Sequence, residues 1–248
     1  MNADNHGLQA LDNQVLKKDL CTLCGACAAL CPYLRVWRGR IVKMDQCTVT
    51  EGRCFDYCPR TGLDLNGMNQ AIFGQEYRDP TIGTVRRVFM ARSNDPDIRA
   101  RAQTGGVVST LIHTAMDKGV INKAVLTHGD MSQFPEGCVA DHREDILRCA
   151  GSSYTAVPSL EAFNQGNFSE GDRIGLAGLP CQVQAIGKMR LSRIDQMTPI
   201  DNMVLVIGLF CTWALDYDPF MEYIRNRFGE VRIRKMDITP PPDAFLQV

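Results

Sequence analysis

Up to about residue 66 the chain carries no sustained apolar period; short apolar runs are interrupted by cysteines and by the pairs Cys31-Pro32 and Cys58-Pro59. That pattern predicts a small unit held together by side-chain ligation, with little core of its own. Gly67, Gly74, Pro80 and Gly83 then punctuate a mixed polar stretch, residues 67–83, that reads as a linker. Beyond it strands alternate with helices. Residues 85–91 read as a strand. Residues 107–118 read as a helix, with Val107, Val108, Leu111, Ile112, Ala115 and Met116 on one stripe and Gly119 as its C-cap. Residues 124–126 form the next expected strand. Residues 173–177 read as a strand turning through Gly178-Leu179-Pro180 into a helix that begins near Cys181, and the strand at 203–207 enters Gly208-Leu209-Phe210-Cys211 in the same way. Alternating elements of this kind predict an α/β domain around a mostly parallel or mixed sheet, preceded by a small α+β unit. The division falls near Asp79, giving segments 1–79 and 80–248.

Composition narrows the classes. A chain of 248 residues that is 45% hydrophobic can bury two cores. A formal net charge of -1 provides no global field for gathering nucleic acid or an anionic membrane. Residues 1–14 are polar, and no run approaches the roughly 18 apolar residues of a membrane span. The expectation is a soluble, cytoplasmic protein. Of its eleven cysteines, seven crowd between Cys21 and Cys58, which suits a metal centre in a reducing compartment better than disulfides. Cys138, Cys149, Cys181 and Cys211 are scattered and need another explanation.

Cys21-x2-Cys24-x2-Cys27-x3-Cys31-Pro32 has the spacing with which bacterial ferredoxins hold a 4Fe-4S cube, the cysteine before proline serving the other cluster of a pair. Soft thiolates suit iron, and Gly25 lets the backbone wrap closely. A zinc knuckle is the competing reading. The second run, Cys47, Cys54 and Cys58-Pro59, lacks a middle cysteine, and Glu51 stands at its place. With cross-ligation, Cys21, Cys24, Cys27 and Cys58 hold one 4Fe-4S cluster. Cys31, Cys47 and Cys54 are left for a second, either 3Fe-4S or 4Fe-4S with Glu51, solvent or a distant cysteine as fourth ligand; the competing reading is that these cysteines ligate nothing.

Thr104-Gly105-Gly106 directly precedes the amphipathic helix, where amides and the helix N-terminus receive anions; Thr104 reads equally as an ordinary N-cap. Cys181 and Cys211 follow strand ends, at the sheet edge where α/β proteins bind ligands. A helix start at Cys181 would lower its thiol pKa, while burial as a small hydrophobe would give it no chemistry. Arg86, Arg87, Arg92, Arg99 and Arg101, and then Arg225, Arg227, Arg232, Arg234 and Lys235, are basic runs that either face solvent or hold a pyrophosphate. His6, His113, His128 and His142 show no metal spacing and receive no role. No side chain is assigned as catalytic.

Taken in order, the first cysteine run, Thr104-Gly105-Gly106, Gly151-Ser152-Ser153-Tyr154, Gly178-Leu179-Pro180-Cys181-Gln182 and Gly208-Leu209-Phe210-Cys211 resemble the beta subunits of coenzyme F420-reducing hydrogenases and related dehydrogenases. The resemblance implies a ferredoxin-like cluster domain joined to an FAD-binding α/β domain. It implies a flavin site at Thr104, Gly105, Gly106, Ser153, Tyr154, Gly178, Pro180, Cys181 and Gln182. It also implies exchange with coenzyme F420, or with a similar carrier such as nicotinamide, and a partner subunit of hydrogenase, formate dehydrogenase or heterodisulfide reductase type. A flavin-free wiring subunit, a zinc-stabilised interaction module and a thiol enzyme using Cys181 and Cys211 are the rival readings. The family usually continues into a further cysteine-containing segment, whereas this sequence ends at Val248, soon after Pro240-Pro241-Pro242.

Overall fold

The computed structural model describes residues 6–128, 133–194, 198–231, 233, 236–238 and 246–247. Of the residues singled out above, Arg232, Arg234, Lys235 and Pro240, Pro241 and Pro242 lie outside that set. Among the described residues, no helix is long and apolar enough to cross a membrane.

The N-terminal segment consists of helix α1 (Leu8–Gln14), an antiparallel hairpin of β1 (Leu34–Trp37) and β2 (Arg40–Lys43), and a single turn α2 (Arg53–Asp56). Contrary to the expectation of little core, Leu8, Leu11, Val15, Leu34, Ile41 and Phe55 bury one another here, with Cys27, Cys54 and Cys58 in the same cluster. The residues read as a linker begin instead with a helix, α3 (Leu65–Phe73). Asp64 caps it by accepting from the Gly67 amide at 2.8 Å, and Gly74 closes it at φ 68. The apolar face of α3 carries Met68, whose presence the glycine count at 67–83 obscured.

The α/β part is a four-stranded mixed sheet of order β4-β3-β5-β6, built from β3 (Lys123–His128), β4 (Glu136–Ala140), β5 (Ile174–Gly178) and β6 (Met203–Gly208). β3, β5 and β6 run parallel, and β4 pairs antiparallel on the outer side of β3. β5 is central and buried almost throughout, as its unbroken apolar sequence demands. The helices are α4 (Pro96–Arg101), α5 (Val107–Asp117), α6 (Arg143–Arg148), α7 (Ser159–Gln165), α8 (Pro180–Leu191) and α9 (Tyr217–Phe228). α5 ends as read, with Gly119 just beyond it at φ 63, and it buries Ile112 and Ala115, although Leu111 of the expected stripe is 49% exposed.

The strand expected at 85–91 does not form: the segment is extended, and Val88, Phe89 and Met90 are 85%, 76% and 103% exposed. Its residues have β propensity, but a strand also needs a paired neighbour, and this segment joins neither edge of the sheet.

At the amino end of β3, buried Asp172 ties the turn at 169–172 to the start of the strand. It accepts from Lys123 Nζ at 2.8 Å, Asn122 Nδ2 at 2.8 Å, the Ser169 amide at 2.7 Å and the Ser169 hydroxyl at 3.0 Å. These donors, Lys123 foremost, hold its carboxyl far below the usual carboxylate range. A depressed folded-state pKa stabilises above the unfolded value of about 3.9 and stops doing so as pH falls toward the folded value. Asp172→Asn is therefore expected to melt below the parent at pH 7, with the gap narrowing below about pH 4; thermal melts showing the same gap at pH 3 and pH 7 would contradict this.

Candidate functional site

The first cysteine run wraps tightly because two of its residues lie in the left-handed region, Leu23 at φ 52 and Gly25 at φ 86. The first is uncommon for a branched side chain and persists because Leu23 is buried in the N-terminal core. The turn aims the Leu23 amide at Cys21 Sγ, 3.4 Å away. Cys21, Cys24, Cys27 and Cys58 line one small cavity with Leu11, Val15 and Ile41. Cys31, Cys47 and Cys54 form a separate set in which Cys54 lies within the electrostatic reach of the other two. The structure thus brings Cys58 to the cavity of the first run, whose lining does not include Cys31.

Burial, followed by the neighbouring sulfurs, pushes Cys24 and Cys27 well above the ordinary thiol range, and burial then Cys31 push Cys54 up to about 11. Cys21 and Cys58 are raised by burial too, tempered by the amides of Leu23 and Arg60 respectively. Thiols this crowded keep their protons unless a soft cation takes the sulfurs, so the donor set fits a thiolate-bound metal centre. A single zinc ion, with Zn–S near 2.3 Å, needs its sulfurs within about 3.8 Å of one another. Among the described residues the one trio of ligand atoms within 4.8 Å is Asp141, His142 and Asp145, which caps α6; no three cysteine sulfurs come so close.

The cysteine loop is seated on the α/β part. The Cys24 carbonyl accepts from the Leu160 amide at 3.2 Å, and Asn164 Nδ2 of α7 donates to the carbonyls of Gly25, Ala26 and Ala28 at 3.3, 3.0 and 2.7 Å. Gly25 passes so close to α7 that a Cβ there would lie 2.5 Å from the Pro158 carbonyl oxygen. Lys188 of α8 donates to the Thr61 hydroxyl and the Gly62 carbonyl, both at 2.8 Å. Cys181, at the start of α8, packs in the same cluster as Cys24 and interacts with the Thr22 side chain.

A cleft of about 1300 Å³ opens at the carboxyl edge of β3 and β5 and beside the loop after β6. Its lining runs from Thr104-Gly105-Gly106 and the first turn of α5, past Thr127 and His128, to Gly151 through Thr155, Leu179, Gln182 and Phe210 through Ala214. Pockets for drug-sized ligands span roughly 300–1000 Å³, so this one suits a larger, extended molecule. Gly106 caps α5 at φ 72, and a Cβ there would strike Ile98 Cγ2 at 2.8 Å; Thr104 is not the cap. The N-terminus of α5 thereby presents amides to the cleft, a cradle for an anionic group. Buried Gln182 ties the floor together, donating to the Val157 carbonyl and Ser159 Oγ at 3.1 Å each and accepting from the Leu179 amide at 2.7 Å. Tyr154 and Trp213, ring centroids 6.0 Å apart, supply aromatic faces.

Thr104, Gly105, Gly106, Ser153, Tyr154 and Gln182 all line the cleft, as do Cys211 and Arg101; Gly178, Pro180 and Cys181 do not. Cys181 turns instead toward Cys24, and burial raises its thiol, reversing the lowering expected of a helix start. Cys211 is exposed and directs its thiol to the Trp213 carbonyl at 3.6 Å, while remaining within electrostatic reach of Cys181. Sequence reading missed Leu179, Val157 and Ser159, whose place follows from the strand-end turn and from α7, and Asn164, which no short-range signal marks.

Two family models match the chain: coenzyme F420 hydrogenase/dehydrogenase, beta subunit N-term, over residues 88–164, and the C terminus of that same beta subunit over residues 171–246. The chain is 29% identical over 233 residues to an F(420)H(2) dehydrogenase subunit of Methanosarcina mazei, covering 91% of this chain and 64% of that one. It is 30% identical over 165 residues to coenzyme F420 hydrogenase subunit beta of Methanosarcina barkeri, covering 65% and 57%. With the coenzyme F420-dependent sulfite reductase of Methanocaldococcus jannaschii it shares 25% over 240 residues, covering 91% and 36%. The chain therefore spans between about a third and two thirds of these relatives' lengths. A chain of the F420-reducing NiFe hydrogenase complex of Methanosarcina barkeri superposes with a TM-score of 0.55 at 26% identity, covering 63% of this chain and 58% of that chain.

Proposed function

This chain belongs to the coenzyme F420 hydrogenase/dehydrogenase beta-subunit family, and on that premise we propose that it is an electron-transfer subunit holding FAD in the cleft and a ferredoxin-type 4Fe-4S cluster on Cys21, Cys24, Cys27 and Cys58. Its two-electron substrate is coenzyme F420 or a related carrier. Its one-electron partner is a cytoplasmic redox subunit of hydrogenase, formate dehydrogenase or heterodisulfide reductase type. The division into a cluster domain, 1–79, and a flavin domain, 80–248, is part of the same reading.

The observation that carries it is the thinness of the wall between the two sites. Cys181 and Gln182 are consecutive residues at the start of α8; the first packs with Cys24 and the second lines the cleft. Leu160 binds the Cys24 carbonyl one residue after Ser159 contributes to the cleft. When bound, a flavin exchanges electrons in pairs or singly and an iron-sulfur cluster carries one at a time, so the pair converts hydride chemistry into single-electron flow.

The residues of this chain position and insulate. The amides at the start of α5 hold the anionic pyrophosphate, and Arg101 at the rim adds charge. Tyr154 and Trp213 offer flat faces to a ring system, and Gln182 fixes the floor through its three hydrogen bonds. Around the first cysteine set, buried Leu11, Val15 and Ile41 exclude water. The Leu23 amide on Cys21 and the positive charges of Lys188 and Arg60 near Cys58 raise a cluster's reduction potential. Cys31, Cys47 and Cys54 hold a second iron-sulfur centre.

Anaerobic purification followed by iron, acid-labile sulfide and flavin analysis tests the proposal. About four irons and four sulfides for the first site, further iron for the second and about one FAD per chain are expected. Iron and sulfide without flavin, after incubation with excess FAD, would establish the wiring-subunit reading instead. Zinc without sulfide would end the redox reading altogether.

A further inference from the structure

Two cysteines that neither site uses meet in the cleft wall. Cys138 lies in β4, opposite Leu126 of β3, and Cys149 is the C-cap of α6. Their sulfurs stand 3.2 Å apart, and both residues are half-buried. Cys149 faces the cleft between Arg148 and Ala150, while Cys138 sits behind it, and both pack against the core of Ile112, Ala140 and Ile146. A disulfide requires about 2.05 Å, so closure asks for little more than 1 Å of approach between side chains that already point at each other.

A hydrogen bond joins the two thiols, and either sulfur can donate it. Arg148 beside the pair favours a thiolate there, while burial and Asp145 oppose it. Access separates their tasks: Cys149 lines the cleft and meets an incoming disulfide first, and Cys138 behind it is placed to resolve, the arrangement of an attacking and a resolving cysteine.

We propose that Cys138 and Cys149 are a redox-active dithiol that closes to a disulfide by exchange with a low-molecular-weight disulfide admitted through the cleft. The Cys149 sulfur loses its proton and attacks one sulfur of RSSR, the S–S bond of the small molecule breaks, and RS⁻ leaves and takes a proton. The chain then carries Cys149–S–SR. Cys138 loses its proton and its sulfur attacks Cys149 Sγ, displacing the second RS⁻, which is protonated in turn. In total the chain gives up two electrons and two protons, and RSSR becomes two RSH. The exchange itself uses neither cluster nor flavin, but Cys149 belongs to the wall of the cleft assigned above to FAD, so closure makes the 148–151 stretch of that wall responsive to the thiol poise of its surroundings.

The test uses the cluster-loaded chain under argon, incubated with 2-hydroxyethyl disulfide, quenched with iodoacetamide under denaturing conditions and mapped by mass spectrometry. The expected product links the Cys138 and Cys149 peptides, is lighter by two hydrogen atoms than the unlinked pair, and reverts with dithiothreitol while iron and sulfide stay constant. Cys138→Ser is expected to trap Cys149 as the 2-mercaptoethanol mixed disulfide, and Cys149→Ser to slow modification of Cys138 by roughly tenfold or more. Recovery of both residues as separate carbamidomethyl cysteines, or as two separate adducts with no link, would overturn the proposal. So would Cys138→Ser leaving Cys149 unmodified.

Discussion

Replacing Cys58 with serine is expected to remove the same iron centre that Cys24→Ser removes, whereas Cys31→Ser is expected to spare it. In each of the first two variants roughly four irons and four sulfides per chain should be lost, against a smaller loss from the second centre in Cys31→Ser. The reason lies in which sulfurs share a cavity. Cys58 lines the one that holds Cys21, Cys24 and Cys27, although α2 and the hairpin lie between them in sequence. Cys31, four residues after Cys27, does not line that cavity and acts on Cys54. A cluster held by consecutive cysteines would give the opposite result, with Cys31 essential and Cys58 dispensable. Serine is nearly isosteric with cysteine and leaves the Cys58 backbone to its bond with Phe55 at 3.2 Å, so loss of metal is separable from loss of fold by circular dichroism on the same samples. Iron and sulfide assays with low-temperature electron paramagnetic resonance read the outcome. If Cys58→Ser keeps a full complement of iron, the cross-ligation assignment fails.

What the sequence disclosed and what it withheld divide by the range of the interaction involved. Cys21-x2-Cys24-x2-Cys27 is legible because a wrapped loop fixes its ligands within one short stretch, and α5, β5 and β6 are legible because their apolar periods are local. Residues 85–91 show the limit: the same kind of apolar run lies exposed, because whether a strand forms depends on a neighbouring edge that the run does not encode. α3 is hidden when Gly67 and Gly74 are read as linker residues, since one sits under the Asp64 cap and the other ends the helix. Cys181 follows the strand-end pattern that marks ligand sites, yet the rotation of α8 turns it to Cys24 and leaves the cleft to Gln182. The pairing of Cys138 with Cys149 and the clamp made by Asn164 join residues from different elements, and no spacing rule reaches them.

Gly25→Ala is expected to cost about 2–4 kcal/mol, for two reasons that act together. Alanine at φ 86 is strained by about 1 kcal/mol relative to glycine. Its methyl would also lie 2.5 Å from the Pro158 carbonyl oxygen and 2.6 Å from the Glu161 nitrogen, backbone atoms that yield only if α7 and the cysteine loop move apart, at a further 1–3 kcal/mol or so. In a chain of this size each kcal/mol lowers Tm by about 2–4 °C, so a fall of roughly 4–15 °C should appear in anaerobic thermal melts. The displacement strikes the seam where Leu160 and Asn164 grip the loop carbonyls. Asn164→Ala, which removes those three hydrogen bonds while leaving the glycine untouched, should reproduce part of the loss, at about 1 kcal/mol for each bond left unreplaced by water. The double variant should fall short of the sum, because once α7 has been pushed off, the amide of Asn164 has less to hold. A Gly25→Ala protein that melts with the parent would mean that the cysteine loop does not rest on α7, and the short path from Cys24 through Leu160 and Cys181 to the cleft would lose its structural basis.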